Sequence, residues 1–194
     1  MEFRPSELIL IRHGASASEG LLCGRTDVDL ADAAMPALAN LAGLLPGVER
    51  VVVSPAKRCK QTAERLWPKA ALVEDPLLWE QDFGAWDGLP YNDLPDVGDL
   101  TRAELARFAA PEGESFADLC ARVHPALMKL AAETVDEPVI VVAHAGIVRA
   151  GISLALGDLS AGLGFVVEPL SLTRLTCHPK GTFAVSCVNW RPGG

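Results

Sequence analysis

With 194 residues, of which 49% are hydrophobic and 22% are charged, the chain has the composition of a folded globular protein and not of a disordered segment. Its formal net charge of −8, from 25 acidic and 17 basic residues, argues against a general nucleic-acid-binding protein, because such proteins need a basic face. An anionic small molecule would therefore need a local basic pocket.

The cysteines occur in an odd number, and none of them belongs to a CxxC pair. This usage argues against a disulfide framework and against a zinc site. The sequence has no cationic stretch followed by a long apolar segment at its start, and no apolar run approaches the length of a membrane span. We therefore expect a soluble, cytoplasmic protein with no membrane partner.

Short apolar runs alternate with helical patterns along the chain. The runs predict strands at residues 7–11, 50–53, 138–143, 170–177 and 183–188. Residues 139–143 are apolar throughout, as expected for a strand that is covered on both faces. The alternation predicts an α/β fold, a three-layer α/β/α sandwich with a mainly parallel central sheet, in a single domain over residues 1–194. The last three residues, 192–194, predict a frayed tail.

The helix after the second strand has clear boundary signals. Ser54 is predicted to cap this helix, Pro55 suits its first position, and Pro68 ends it. Arg58 then lies in the first turn of the helix. Unpaired backbone N–H groups and the helix dipole favour an anion at that place.

A second helix is predicted to start at Ser115, with Asp118 as its capping-box partner. Before it, residues 75–114 are rich in glycine, proline, aspartate and aromatic residues. This segment predicts a loop-dominated insertion with one short helix near residues 101–108. Because long loops often cover active sites, we expect the insertion to form a partial lid.

The tripeptide Arg12-His13-Gly14 stands where the first apolar run stops. A neutral imidazole nitrogen is a competent nucleophile near neutral pH. Arginine adds a planar fork of donors that matches phosphate oxygens two at a time. Glycine lets the backbone turn sharply and approach a ligand closely. The tripeptide therefore suits attack on a phosphoryl group, although a histidine at a strand end is alone a weak signal.

Two further segments carry groups that suit phosphate chemistry. Glu80 lies in the aromatic and glycine-rich segment 78–88. His144 repeats the arrangement of His13, because it follows an apolar strand and precedes a turn of small residues. The backbone N–H groups of that turn, including the N–H of Ala145, could reach phosphate oxygens.

In their order along the chain, these segments resemble the histidine phosphatase superfamily, which includes cofactor-dependent phosphoglycerate mutases, fructose bisphosphatases and α-ribazole phosphatase. The likeness extends over residues 9–157 and includes the segments 24–30 and 111–115. Within the family, the short length and the stretch 83–88 look most like α-ribazole phosphatase.

The resemblance implies a role for each matched residue. His13 is the nucleophile that becomes transiently phosphorylated, and His144 lines the phosphate and stabilises the transition state. Arg12 and Arg58 clamp the phosphate. Glu80 protonates the leaving alcohol and then activates water. The scheme needs neither a metal nor a cofactor. It fits the charge that phosphoryl transfer places on the equatorial oxygens, which positioned cations stabilise.

The chain departs from the family pattern after the tripeptide. The family often has an acidic residue directly after the glycine and an asparagine or similar donor near the fifth residue beyond it, where this chain has Ala15 and Glu19. A carboxylate cannot donate to phosphate, so we expect Glu19 to turn away from the site. Ser16 or Ser18 is then the substitute donor.

The sequence leaves other side chains with two uses. Arg25 belongs to a matched segment that can use it either for substrate phosphate or for a surface ion pair. Trp79 is predicted to pack a loop onto the core, whereas Trp86 is either packing or part of a substrate wall. His124 and His178 match no motif and no metal-ligand spacing, so they are predicted to be structural or on the surface.

We expect the protein to hydrolyse a small phosphomonoester, with α-ribazole 5′-phosphate as the first candidate substrate. A phosphoglycerate mutase or a sugar-phosphate phosphatase is the alternative enzyme. A mutase binds a doubly anionic ligand, which needs basic residues around it. The insertion has only Arg102 and Arg107, which argues against a mutase. A non-catalytic phospholigand-binding regulatory module is the alternative of another class, but binding alone would not need Glu80. No nucleic-acid partner is expected, and the oligomeric state stays open.

Overall fold

Alternate side chains of the buried strands enter two separate hydrophobic cores in the computed structural model, which describes residues 1–193. In strand β1 (Glu7–Arg12), Leu8 and Leu10 join one core, whereas Ile9 and Ile11 join the other. Successive side chains of a strand point to opposite faces, so a strand that is apolar at every position is covered on both faces. Gly194, the last residue of the predicted tail, lies outside the described residues.

Within residues 1–193, six strands form one sheet in the order β3-β2-β4-β1-β5-β6. The other strands are β2 (Arg50–Val53), β3 (Ala71–Glu74), β4 (Val139–Ala143), β5 (Leu172–His178) and β6 (Thr182–Trp190). The neighbours β3, β2, β4 and β1 pair in parallel, and β5 and β6 add antiparallel pairs. The predicted mainly parallel sheet is confirmed. Strand β3 is not among the predicted strands. Its apolar run is short, and it is a mostly exposed edge strand.

Helices cover both faces of the sheet, which confirms the predicted three-layer sandwich. Helices α1 (Met35–Ala42) and α2 (Lys57–Leu66) pack on one core, and α4 (Phe116–Ala132) and α5 (Ala145–Leu156) pack on the other. The remaining helix, α3 (Arg102–Leu105), is one turn long. Among residues 1–193, no helix is both long enough and apolar enough to cross a membrane.

The start of α2 differs from the prediction. The helix begins at Lys57, and no side chain at its N-cap position accepts a hydrogen bond, so the prediction that Ser54 caps it is wrong. Instead, the carboxylate of Asp27 accepts the N–H of Lys57 at 2.8 Å. The start of α4 is as predicted, because Ser115 and Asp118 form a reciprocal capping box.

The insertion 75–114 is dominated by loops, as predicted. It holds three short 3₁₀ turns and the single-turn helix α3. Its two ends meet at Gly84, which has a φ of +50° and lies against the backbone of residues 111–113. A side chain at this position would collide with that backbone, so glycine is required for the close approach.

The strand order brings the matched residues to one edge of the sheet. His13 follows β1, Ser54 follows β2, and His144 follows β4. These three strands are parallel neighbours, so their carboxyl ends meet at the same edge. Ligands of open α/β sheets bind in the crevice at this edge.

Candidate active site

A cavity of about 310 Å³ opens at the carboxyl ends of the parallel strands. It contains most of the residues that the sequence analysis singled out, namely Arg12, His13, Ser16, Ser18, Arg58, Glu80 and Ala145. The remaining two, His144 and Arg25, do not line it. Three arginines and one glutamate are the charged residues in its wall, so the cavity is locally basic within an acidic chain.

The ring of His13 is held in one tautomer. Its Nδ1 lies 2.7 Å from the carbonyl oxygen of Gly14, and because a carbonyl only accepts, Nδ1 carries the proton. Its Nε2 is then unprotonated, and the lone pair of this nitrogen accepts the Nε–H of Arg58 at 3.2 Å. The unprotonated nitrogen of His13 therefore faces the arginine that would clamp a phosphate.

Arg58 is the largest fully buried side chain of the structure and is only 1% exposed. Its guanidinium donates to the carbonyl oxygens of Gly24 at 2.9 Å and Thr26 at 3.0 Å. The same group donates to both histidines, through Nε to His13 and through a terminal nitrogen to Nδ1 of His144, each at 3.2 Å. Arg58 thus joins the two rings to the loop that precedes α1.

His144 lies behind His13, with no exposed surface. The two ring centroids are 5.2 Å apart in an edge-on arrangement. Since Nδ1 of His144 accepts from Arg58, Nε2 carries the proton and donates to the hydroxyl oxygen of Ser54 at 2.8 Å. The ring also stacks on Trp79, with centroids 6.5 Å apart and planes 10° apart. His144 therefore contacts both Arg58 and His13 from the buried side of the site.

Burial sets the protonation state of both rings. Burial lowers the pKa of His13 to about 3, and the positive charge of Arg58 contributes in the same direction. Burial also lowers the pKa of His144 well below its usual value, with smaller contributions from His13 and Arg58. Both histidines are therefore neutral at neutral pH, as a nucleophile requires.

Glu80 reaches the cavity from the insertion and is 8% exposed. Its carboxylate accepts the N–H of Gln81 at 3.0 Å and the N–H of Gly146, at the start of α5, at 3.2 Å. A side chain on Gly146 would collide with this carboxylate, so the glycine leaves the space that Glu80 occupies.

Arg12 and Arg149 place further positive charge in the cavity wall. Arg12 donates to the carbonyl oxygen of Val167 at 2.7 Å, and its buried Nε has no partner among residues 1–193. Arg149 donates through Nε to the carbonyl oxygen of Phe165 at 3.2 Å. Burial lowers the pKa of Arg12, and the nearby charge of Arg149 adds a smaller decrease.

The segment after His13 presents hydroxyl groups and no carboxylate. Ser16 and Ser18 both line the cavity, and their hydroxyl oxygens are 3.0 Å apart. Glu19 is exposed and does not line it. This placement agrees with the expectation that Glu19 turns away, and donation by Ser16 or Ser18 to a phosphate stays a prediction.

Arg25 lies near two carboxylates of the insertion, and its use for substrate phosphate stays a prediction. Its guanidinium lies 4.0 Å from the carboxylate of Asp82 and 3.8 Å from that of Glu114, and it covers the ring of Trp79 at 5.7 Å. It is therefore part of an ion-pair cluster beside the cavity.

The other open side chains are also placed. Trp86 packs against Phe108, with centroids 5.5 Å apart, and does not line the cavity. His124 hydrogen-bonds the carbonyl oxygen of Ala150, and His178 is exposed, so both are structural or surface residues as predicted. Among residues 1–193, no three histidine, cysteine, aspartate or glutamate side chains form a group that could hold a metal ion.

The sequence analysis missed several residues of the site. Arg149 lies one helical turn after Ala145 on α5, so helical spacing could have placed the two on one face. Phe83 lines the cavity from an irregular segment that has no periodic pattern. Tyr91, which the sequence allows as part of an aromatic substrate wall, also lines it. Ser54 was interpreted as a helix cap, and only the fold reveals that its hydroxyl accepts from His144.

A second cavity, of about 410 Å³, lies at the opposite end of the parallel strands, around the starts of β2 and β4. Glu2, Glu49 and Glu137 are among its lining residues, together with the basic Arg50 and the N-terminal Met1. Its carboxylates disfavour a phosphate, so the cavity at the carboxyl ends of the strands is the candidate active site.

The low pKa of His13 predicts how stability depends on pH. Below its usual pKa of 6.5 the unfolded histidine takes up a proton, whereas the folded ring stays neutral down to a pKa of about 3. The contribution of His13 to stability is therefore complete above pH 6.5 and is lost as the pH falls towards 3. Between these values, we expect the unfolding free energy to fall more steeply in the wild type than in His13→Gln, by up to about 1.4 kcal/mol per pH unit.

Urea unfolding at a series of pH values measures this difference. The exposed His178→Gln variant is the matched control and should keep the wild-type slope. Parallel curves for the wild type and His13→Gln would contradict the prediction.

Two proteins of Mycobacterium tuberculosis resemble the chain in sequence. The chain is 30% identical to a bifunctional protein of Mycobacterium tuberculosis, over 95% of this chain and 54% of that protein, so it spans about half the length of this relative. It is 29% identical to the glucosyl-3-phosphoglycerate phosphatase of the same organism, over 97% of this chain and 93% of the relative.

The crystal structure of the α-ribazole phosphatase from Shigella flexneri has the same fold. It superimposes with a TM-score of 0.82 at 23% identity, covering 97% of this chain and 98% of that one. The family model of branch 1 of the histidine phosphatase superfamily matches residues 8–190, which include both histidines, Arg58 and Glu80. The chain therefore belongs to the histidine phosphatase superfamily.

Proposed function

We propose that this protein hydrolyses phosphomonoesters through a phosphohistidine formed at Nε2 of His13. The observation that carries the proposal is the tautomer of His13, which turns an unprotonated nitrogen towards Arg58 in a basic cavity. Positioned cations stabilise the charge that develops on the phosphoryl oxygens. Arg12 and Arg58, which both line the cavity, supply these cations.

The reaction has two steps. First, Nε2 of His13 attacks phosphorus, the bond from phosphorus to the ester oxygen breaks, and Glu80 in its acid form gives its proton to the leaving alcohol. Then the Glu80 carboxylate takes a proton from water, the resulting hydroxide attacks phosphorus, and the bond from nitrogen to phosphorus breaks. Inorganic phosphate leaves, and both His13 and Glu80 return to their starting states.

The alternatives receive less support. Arg102 and Arg107, the basic residues of the insertion, do not line the cavity, which disfavours the doubly anionic ligand of a phosphoglycerate mutase. A non-catalytic binding module has no use for a carboxylate beside the phosphate, because the charge of Glu80 would weaken anion binding. A phosphatase uses the same carboxyl group, in its protonated form, as its proton donor.

Two substrate classes fit different parts of the wall. Leu21, Leu22 and Phe83 form an apolar part that suits a flat aromatic group, and this supports α-ribazole 5′-phosphate. Arg149 instead favours a phosphate ester whose alcohol carries a carboxylate, because a guanidinium pairs with carboxylate in a planar, two-bonded geometry. The name of the glucosyl-3-phosphoglycerate phosphatase relative points to such a substrate for that protein.

Replacement of the nucleophile tests the reaction itself. We expect His13→Ala to lower kcat on an aromatic phosphomonoester, assayed with a chelator present, by more than about 10³-fold, because no other group can take over the covalent step. The exposed His178→Ala variant is the control and should keep wild-type activity. An acid-labile phosphoprotein should be trapped in the wild type and be missing in His13→Ala. Unaltered turnover by His13→Ala would refute the mechanism.

A leaving-group series tests the role of Glu80. An alkoxide leaves poorly without a proton, whereas an activated phenolate needs little help. We expect Glu80→Gln to lower kcat by about 10²–10⁴-fold for alkyl phosphates but by less than about tenfold for an activated aryl phosphate. Glu112 is an exposed carboxylate of the same insertion, and Glu112→Gln should keep the wild-type kcat on both esters. Equal losses on both ester classes in Glu80→Gln would exclude Glu80 as the acid.

A substrate panel separates the two classes. It compares kcat/KM for α-ribazole 5′-phosphate, phosphoglycerates, phosphoserine and sugar phosphates. If Arg149 binds a carboxylate, Arg149→Leu should lower the preference for carboxylate-bearing esters over neutral ones by about 10–100-fold, since a charged hydrogen bond is lost. Arg107→Leu, which removes a charge outside the cavity, should leave the preference unchanged. A high rate with α-ribazole 5′-phosphate and an unchanged preference in Arg149→Leu would select the aromatic class.

A further inference from the structure

Asp87 binds the backbone of a loop from a distant part of the chain. Its two carboxylate oxygens accept three consecutive N–H groups, those of Gly24 at 3.0 Å, Arg25 at 2.7 Å and Thr26 at 3.0 Å. Hydrogen bonds to an ionised acceptor are stronger than those between neutral groups. One carboxylate in the insertion therefore holds three neighbouring peptide groups in a single orientation.

The other side of the same loop faces Arg58. The guanidinium donates to the carbonyl oxygens of Gly24 at 2.9 Å and Cys23 at 3.4 Å. The carbonyl of Gly24 and the N–H of Arg25 belong to one peptide unit, and the carbonyl of Cys23 and the N–H of Gly24 belong to the preceding one. Because a peptide unit is planar, an acceptor that orients its N–H also orients its C=O.

Two peptide units therefore connect the carboxylate of Asp87 to the guanidinium of Arg58. In each unit the N–H points to the negative charge and the C=O points to the positive charge, so the hydrogen bonds reinforce each other. The loop has little room to shift, because a side chain on Gly24 would collide with the carbonyl oxygen of Gln81. The direction of Arg58 is thus linked to a residue that does not line the cavity.

We propose that Asp87 is a positioning residue for Arg58, acting through the peptide groups of residues 23–25. The inference rests on the proposed function, in which Arg58 clamps the transferring phosphoryl group. Arg58 reaches Nε2 of His13 and Nδ1 of His144, so an altered direction of its guanidinium would change both the clamp and the nucleophile's surroundings.

Asp87→Asn is the first test. An amide keeps one acceptor oxygen but turns an N–H₂ group towards backbone donors, so the loop loses part of its anchor. We expect kcat/KM on an activated aryl phosphate to fall by about 10–100-fold, the size of effect that small misplacements of catalytic groups produce. The inhibition constant for inorganic phosphate should rise in parallel. Asp93→Asn makes the same change at an exposed position of the insertion and should match the wild type.

A double-mutant cycle with Arg58→Lys distinguishes positioning from a general structural effect. Lysine keeps the charge but lacks the fork that the loop carbonyls hold. If Asp87 acts through Arg58, Asp87→Asn should lower kcat/KM by less than about threefold in the Arg58→Lys background. Phosphate binding by calorimetry gives the same cycle where turnover is too slow to measure. Equal losses in both backgrounds, or no loss in the wild-type background, would overturn the inference.

A second variant and an amide-exchange measurement on the wild type also test the inference. If Asp87→Asn fails to fold, Asp87→Glu takes its place in the cycle, because it keeps the charge and displaces the carboxylate by one methylene. In the wild type, the amides of Gly24, Arg25 and Thr26 should exchange slowly with deuterium, and exchange as fast as that of exposed amides would refute the anchor. Wild-type activity in Arg58→Lys itself would instead refute the clamp of the proposed function.

Discussion

The site depends on one buried positive charge that has no carboxylate partner. Arg58 is almost fully buried, and none of the ion pairs among residues 1–193 includes it. Burial of an ion is costly unless its hydrogen bonds are satisfied. Backbone carbonyls and two imidazole nitrogens accept from this guanidinium, which satisfies its donors without cancelling its charge. The positive charge of Arg58 therefore remains available to an anionic ligand.

That charge also explains the state of the histidines. A ring that accepts a hydrogen bond from Arg58 cannot carry a proton on the accepting nitrogen. The carbonyl of Gly14 selects the tautomer of His13, and Arg58 selects the tautomer of His144 by donating to its Nδ1. Burial and the arginine act in the same direction on the pKa of both rings. Both rings are thus neutral because of their surroundings.

The acidic character of the chain does not oppose this arrangement. Carboxylates near the site are held by backbone donors or ion pairs, as in Asp87 at the loop and Glu114, whose pKa the partner Arg122 helps to hold below its usual value against the opposing effect of burial. Among residues 1–193, Glu80 is the only carboxylate in the cavity wall. The net charge of −8 is therefore compatible with a basic cavity, because the sign of a site depends on the few groups that face it.

The sequence by itself predicted most of the elements and the segments that meet at the cavity, because these follow from neighbours along the chain. Apolar residues at every position predicted β1 and β4 as buried strands, and His13 and His144 followed where those runs stop. The tertiary structure decided the rest. Ser54 and His144, 90 residues apart, meet only because β2 and β4 are parallel neighbours, and Asp87 reaches Gly24 across 63 residues. Such hydrogen bonds depend on which strand ends and loops the fold brings together, and no local pattern encodes them.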